Sequence, residues 1–194
     1  MIPEPVAVTL LVCTALERLN VPYLVGGSFA STIHGQLRTT LDSDLVADLR
    51  SEQVRQFVQE LEAEFYIDEE MIRKAIASRG CFNVIHLQTM FKVDVFIPKH
   101  RAFDQEQMRR RKRTVMAYEP ECTMYIATAE DTILAKLEWY QLGKSISERQ
   151  WRDVLGIIKL QNTRLDMEYV RRWAAELGVA DLLTRAMREA RSIY

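Results

Sequence analysis

The chain has 194 residues, enough for one large domain or two small ones, and its 48% apolar and 27% charged residues are the ordinary mixture of a folded protein. A formal net charge of -1 excludes a globally basic nucleic-acid binder. Three cysteines (Cys13, Cys81 and Cys122), odd in number and without a CxxC pair, favour neither a zinc site nor a disulfide framework and fit a reduced cytoplasm.

In chain order, the apolar run Val6–Cys13 is short and follows prolines rather than a basic region, so it reads as neither signal peptide nor membrane span. Leu11, Ala15, Leu16 and Leu19 recur at helical spacing and predict an amphipathic helix over 4–19. Tyr23-Leu24-Val25 predicts a strand broken by Gly26-Gly27. Ser28 then reads as the N-cap of a short helix to His34, ended by Gly35. A strand over 44–49 follows, then a helix capped by Ser51 with Val54, Phe57, Val58 and Leu61 on one face. A brief strand at 65–67 and a helix at 69–78 come next.

The strongest β signal is a hairpin, 82–87 and 91–97 around Gln88-Thr89-Met90. In its second strand Phe91, Val93, Val95 and Ile97 fill one face, and Lys92, Asp94 and Phe96 the other. A basic run, Arg109–Arg113, and a strand near 124–127 precede a helical C-terminal part. There Thr128, Ser147 and Asp166 are predicted to cap helices, Gly178 closes the third, and a last helix covers about 180–192. The fold class expected is α+β: a mixed sheet with flanking helices over 1–120, then a helical bundle over 121–194.

The chemistry-bearing residues concentrate early. Asp42 and Asp44 are one residue apart, so in an extended chain both point to one face, where a hard cation is held by carboxylate oxygens. Asp94 on its mixed face needs either a cation or solvent. Gly26-Gly27-Ser28 at the mouth of a helix offers backbone N–H groups suited to phosphate. Together they describe a site for Mg²⁺ with a nucleoside triphosphate; the bland alternative is a tight turn with solvated aspartates. Arg38 either holds a phosphate or braces Asp42. Lys136, in an otherwise apolar helix, seeks an anion, while Arg149 and Asp153 share a helix face. His34 reads as a helix-end residue. Arg109–Arg113 reads as a solvated helix face or as an RNA-binding surface, and Trp139, Trp151 and Trp173 read as bundle core.

Val25-Gly26-Gly27-Ser28 followed by Arg38-Thr39-Thr40-Leu41-Asp42-Ser43-Asp44 resembles the signature of the nucleotidyltransferase superfamily typified by DNA polymerase β. It is most similar to the small prokaryotic branches, the minimal nucleotidyltransferases and AbiEii-type toxins, although Ser43 stands where an aliphatic residue is more usual. Glu130–Leu137 and Arg149–Val154 resemble helical segments of the same branch. The resemblance implies a two-metal site: Asp42 and Asp44 on both ions, Asp94 on the second, and Gly26, Gly27 and Ser28 at the triphosphate of ATP or another NTP. It implies a basic residue from the helical part, Lys136, near that triphosphate. It leaves the acceptor open among RNA or tRNA, a protein and a small molecule, and a cognate protein partner of the toxin–antitoxin kind open as well. A catalytically silent nucleotide-binding or partner-binding module is the rival reading.

Overall fold

The structure, a computed structural model, describes residues 2–35, 42–119 and 121–192, and its strands form a single mixed sheet. They are β1 (Tyr23–Val25), β2 (Asp42–Ala47), β3 (Phe65–Tyr66), β4 (Cys81–His86), β5 (Lys92–Phe96), β6 (Lys112–Tyr118) and β7 (Glu121–Ile126), in the order β3-β4-β5-β2-β1-β7-β6. β2 runs parallel to β5 and β1 parallel to β7; the other pairs are antiparallel. The chain divides into two compact units, Met1–Gly26 with Thr39–Ile126, and Gly27–Arg38 with Ala127–Tyr194.

The first unit holds the whole sheet and the helices α1 (Glu4–Arg18), α3 (Val54–Leu61), α4 (Glu69–Ser78) and α5 (Ala102–Arg110); α2 (Gly27–His34) belongs to the second. Period-two alternation buries Leu45, Ala47, Val84, Val93 and Val95 completely on one sheet face, with Val12, Leu16, Val54 and Phe57 from α1 and α3 also in the core. β2 begins at Asp42, two residues before the expected start, so both aspartates lie within the strand. Ser51 does not cap a helix. It opens a short 3-10 turn at Ser51–Gln53 that leads into α3, and the Arg50 N–H donates to Gln53 Oε1 at 3.1 Å.

The second unit adds α6 (Ala129–Leu142), α7 (Glu148–Gln161), α8 (Met167–Glu176) and α9 (Ala180–Ser192). Three caps are those expected. Thr128 Oγ1 accepts from the Asp131 N–H at 3.2 Å, Ser147 Oγ from Gln150 at 3.4 Å and Asp166 Oδ1 from Tyr169 at 3.0 Å. Gly178 follows α8 at φ +71°, a left-handed turn that glycine enters without strain. α2 is tied to these helices at its end: the His34 ring nitrogen Nε2 meets the Ala127 carbonyl at 2.7 Å, and Gln161 Nε2 donates to the His34 carbonyl at 2.8 Å. Gly35 fits because a Cβ there would lie 2.8 Å from the Ser31 carbonyl and 3.1 Å from Ile157 Cγ1.

Trp151 and Trp173 are bundle core at 8% and 7% exposure, but Trp139 is 53% exposed and corrects that expectation. It stands on α6 between Ile133, Leu134 and Leu137, which face inward, and the turn Gly143.

Candidate active site

The parallel pairing of β2 with β5 sets Asp44 opposite Asp94 and Asp42 opposite Lys92. Register-paired residues project to the same side of a sheet, so three carboxylates and one ammonium share a face. Asn83 of β4 pairs with Asp94 from the other side. Beneath them, Ser43, Leu45, Val93 and Val95 point into the core, all at 0% exposure. The alternation that buries one face thus fixes the polar residues on the other.

Lys92 is the residue to which sequence reasoning gave no role. Its Nζ lies 2.6 Å from Asp94 Oδ2, on a side chain 41% exposed, while that of Asp94 is 17% exposed. The hydrogen bond to Asp94 raises the Lys92 pKa above the ordinary lysine value, opposed by burial and reinforced by the fields of Asp94, Asp42 and Asp44. A lysine two positions before an aspartate on a period-two strand is the signal that could have found it. Nearby, partial burial of the Cys81 sulfur, then the fields of Asp94 and Asp44, pushes that thiol up to about 11.

Among the described residues no three His, Cys, Asp or Glu side chains draw close enough to hold a metal ion by themselves. The donor set nonetheless fits Mg²⁺. Carboxylate oxygens at half-buried positions on one face match a hard ion that keeps waters and substrate phosphates for the rest of its shell. Asp42, Asp44 and Asp94 are the residues that would hold it.

Gly26 is placed by a hydrogen bond from its N–H to the Asp44 carbonyl at 2.8 Å. Gly27 opens α2 at φ +53°, a left-handed conformation that a residue with a Cβ enters only with strain. Ser28 lies in the first turn of α2 rather than at its N-cap. Its Oγ is buried and meets no hydrogen-bond partner among the described residues, an arrangement that suits a polar ligand. Lys136, 5% exposed, finds its anion within the helical unit: Nζ lies 2.9 Å from Asp153 Oδ2 and 3.0 Å from Gln150 Oε1. Asp153 therefore pairs with Lys136. Arg38 lies outside the described residues.

The basic run is not one helix face: Arg109 and Arg110 end α5, and Lys112 and Arg113 open β6. Arg109 on α5 pairs with Glu106 at 2.6 Å, Arg111 bonds the Met108 carbonyl and covers the Tyr125 ring at 4.7 Å, and Arg113 on β6 donates to Thr123 Oγ1 at 2.8 Å. These in-chain contacts favour a structural and solvated role for the run.

No protein-family model matches the chain, and no curated protein matches it. Solved structures do. An antigenic nucleotidyltransferase-like protein from Paracoccidioides brasiliensis is similar at 15% identity and TM-score 0.54, over 94% of this chain and 91% of that one. The antibiotic-resistance factor ANT(2'')-Ia is similar at 15% identity and TM-score 0.56, over 94% and 97%. The lincosamide antibiotic adenylyltransferase LnuA, solved with lincomycin bound, is similar at 14% identity and TM-score 0.50, over 80% and 96%. No helix among the described residues is long and apolar enough to cross a membrane. Its mixed sheet and its helical C-terminal part together give this chain the nucleotidyltransferase fold.

Proposed function

We propose that the protein is a Mg²⁺-dependent nucleotidyltransferase that moves a nucleoside monophosphate from an NTP to an acceptor hydroxyl and releases pyrophosphate. The observation that carries this reading is the in-register pairing of Asp44 with Asp94 on parallel neighbouring strands, with Asp42 on the same face. Bound Mg²⁺ supplies charge neutralisation at the triphosphate and a lowered pKa at the acceptor hydroxyl. Asp42 and Asp44 would hold the ions, and Asp94 would serve the one at the acceptor. Gly26, Gly27 and Ser28 bind the triphosphate, with Arg38 and Lys136 as the further nucleotide-binding residues that the resemblance supplies. The Ser28 hydroxyl, without a hydrogen-bond partner among the described residues, supports this assignment. Catalysis then rests on positioning and electrostatics rather than on a covalent intermediate.

The acceptor we favour is a hydroxyl-bearing small molecule. Two similar structures are described by their action on, or resistance to, antibiotics, and the arginines of the basic run are held within the chain. The test is incubation of each labelled NTP and Mg²⁺ with lincosamide and aminoglycoside-like acceptors and, in parallel, total RNA. Wild type labels an acceptor and Asp42→Ala does not. Asp94→Asn keeps most Mg²⁺–NTP affinity and loses transfer by several orders of magnitude, a loss confined to the transition state. Binding of NTP with no transfer to any acceptor would instead make the chain a silent nucleotide-binding module.

A further inference from the structure

We infer that Lys92 is a built-in counter-ion of the carboxylate face, competing with the divalent cation for Asp94, so that loading the site displaces its ammonium. This rests on the metal reading of Asp42, Asp44 and Asp94. The geometry is direct. Lys92 stands opposite Asp42 across the β2–β5 pairing, and its Nζ reaches Asp94 Oδ2 at 2.6 Å. One ammonium is therefore drawn to the same carboxylates that a hard cation requires. Two like charges cannot share one carboxylate oxygen at contact distance without strong repulsion.

The lysine side chain is free to leave. At 41% exposure, on a stem of four methylenes, its displaced head group goes to water at little desolvation cost. In the metal-free protein the ammonium relieves repulsion among three aspartates, and it imposes a threshold on metal entry. An ion that brings its own anion, as a triphosphate-bound one does, offers the displaced ammonium a new partner. Free cation alone does not, so the lysine biases Asp94 toward taking up its ion when nucleotide is already held at Asp42 and Asp44.

The test is a titration of Mn²⁺, followed by the loss of its free-ion paramagnetic resonance signal, into wild type, Lys92→Met, Lys92→Gln and Lys92→Arg without nucleotide. The neutral variants bind Mn²⁺ about tenfold tighter, the order expected on removing one positive charge beside a divalent ion in a largely solvated site. Lys92→Arg, which keeps the charge, stays near wild type. Melting in EDTA supplies a second readout: both neutral variants melt lower than wild type, and Mn²⁺ raises them more. A lysine with a merely structural role would lower the melting temperature and leave Mn²⁺ affinity unchanged. Equal or weaker Mn²⁺ binding by the neutral variants, with wild type binding measurably, overturns the role of Lys92 and leaves the metal site standing. Failure of every protein to bind Mn²⁺ even with ATP overturns both.

Discussion

Cys81 reports on the carboxylate face at the level of a single atom. Burial of its sulfur, then the fields of Asp94 and Asp44, moves the thiol from 9.0 to about 11, so at pH 8 it carries about a hundredfold less thiolate than an unshifted cysteine. Its alkylation by iodoacetamide should climb about tenfold per pH unit from pH 7 to 10 with no plateau, and Asp94→Asn should speed it at every pH. A plateau near pH 9 would show that neither burial nor the carboxylate field shifts this thiol. Cys13 and Cys122 are buried, so the signal belongs to Cys81. Ser43 makes the opposite kind of point. Its Oγ is buried between the two aspartates on the core side with no partner among the described residues. Ser43→Ala removes a desolvated hydroxyl and should stabilise the fold by about 1 kcal/mol, seen as a raised urea midpoint at constant slope. The unusual residue within the aspartate motif was visible in the chain; that it faces the core became visible only with the strand.

The elements read most easily are those closed by local chemistry. Thr128, Ser147 and Asp166 bond N–H groups three residues on, which needs no knowledge of the rest of the chain. The β4–β5 hairpin is similarly local. α5 and β6 escaped because their largely polar sequences carry no clear apolar period, and β6 is an edge strand that, among the described residues, pairs with β7 and is exposed or half-buried throughout. The carboxylates were legible as residues, but nothing in their spacing says that β2 pairs with β5, since register across a parallel pair is set by tertiary packing. The same holds for the tie between α6 and α8. Asp131, fully buried, accepts from the Thr128 hydroxyl at 2.8 Å and the Tyr169 hydroxyl at 2.6 Å. Tyr169→Phe should destabilise the protein by about 1.5–3 kcal/mol, the range for a hydrogen bond to a charged group. A loss under 0.5 kcal/mol in urea unfolding would mean that this bond contributes little.

For the molecule as a whole, clustered aspartates and their ligands should couple to global stability. Mg²⁺ and NTP together should raise the melting temperature of wild type well beyond either alone, and much less in Asp44→Asn, because ligand bound only to the native state shifts the folding equilibrium by mass action. Equal shifts in the two proteins would remove these residues as the ligand site. The division of the chain carries a further consequence, one that concerns synthesis. α2 belongs to the helical unit, yet His34 is separated by 93 residues from Ala127, the carbonyl its ring meets. On a ribosome adding about 5–20 residues per second, Gln161 at the end of α7, 127 residues beyond His34, follows roughly 6–25 s later. Through that interval Phe29 and Ala30, buried in the finished protein, have no native surface to cover them. The helix that opens at Gly27 is thus made early and ordered late, since the helices it packs on are synthesised only after β7, the last strand of the sheet.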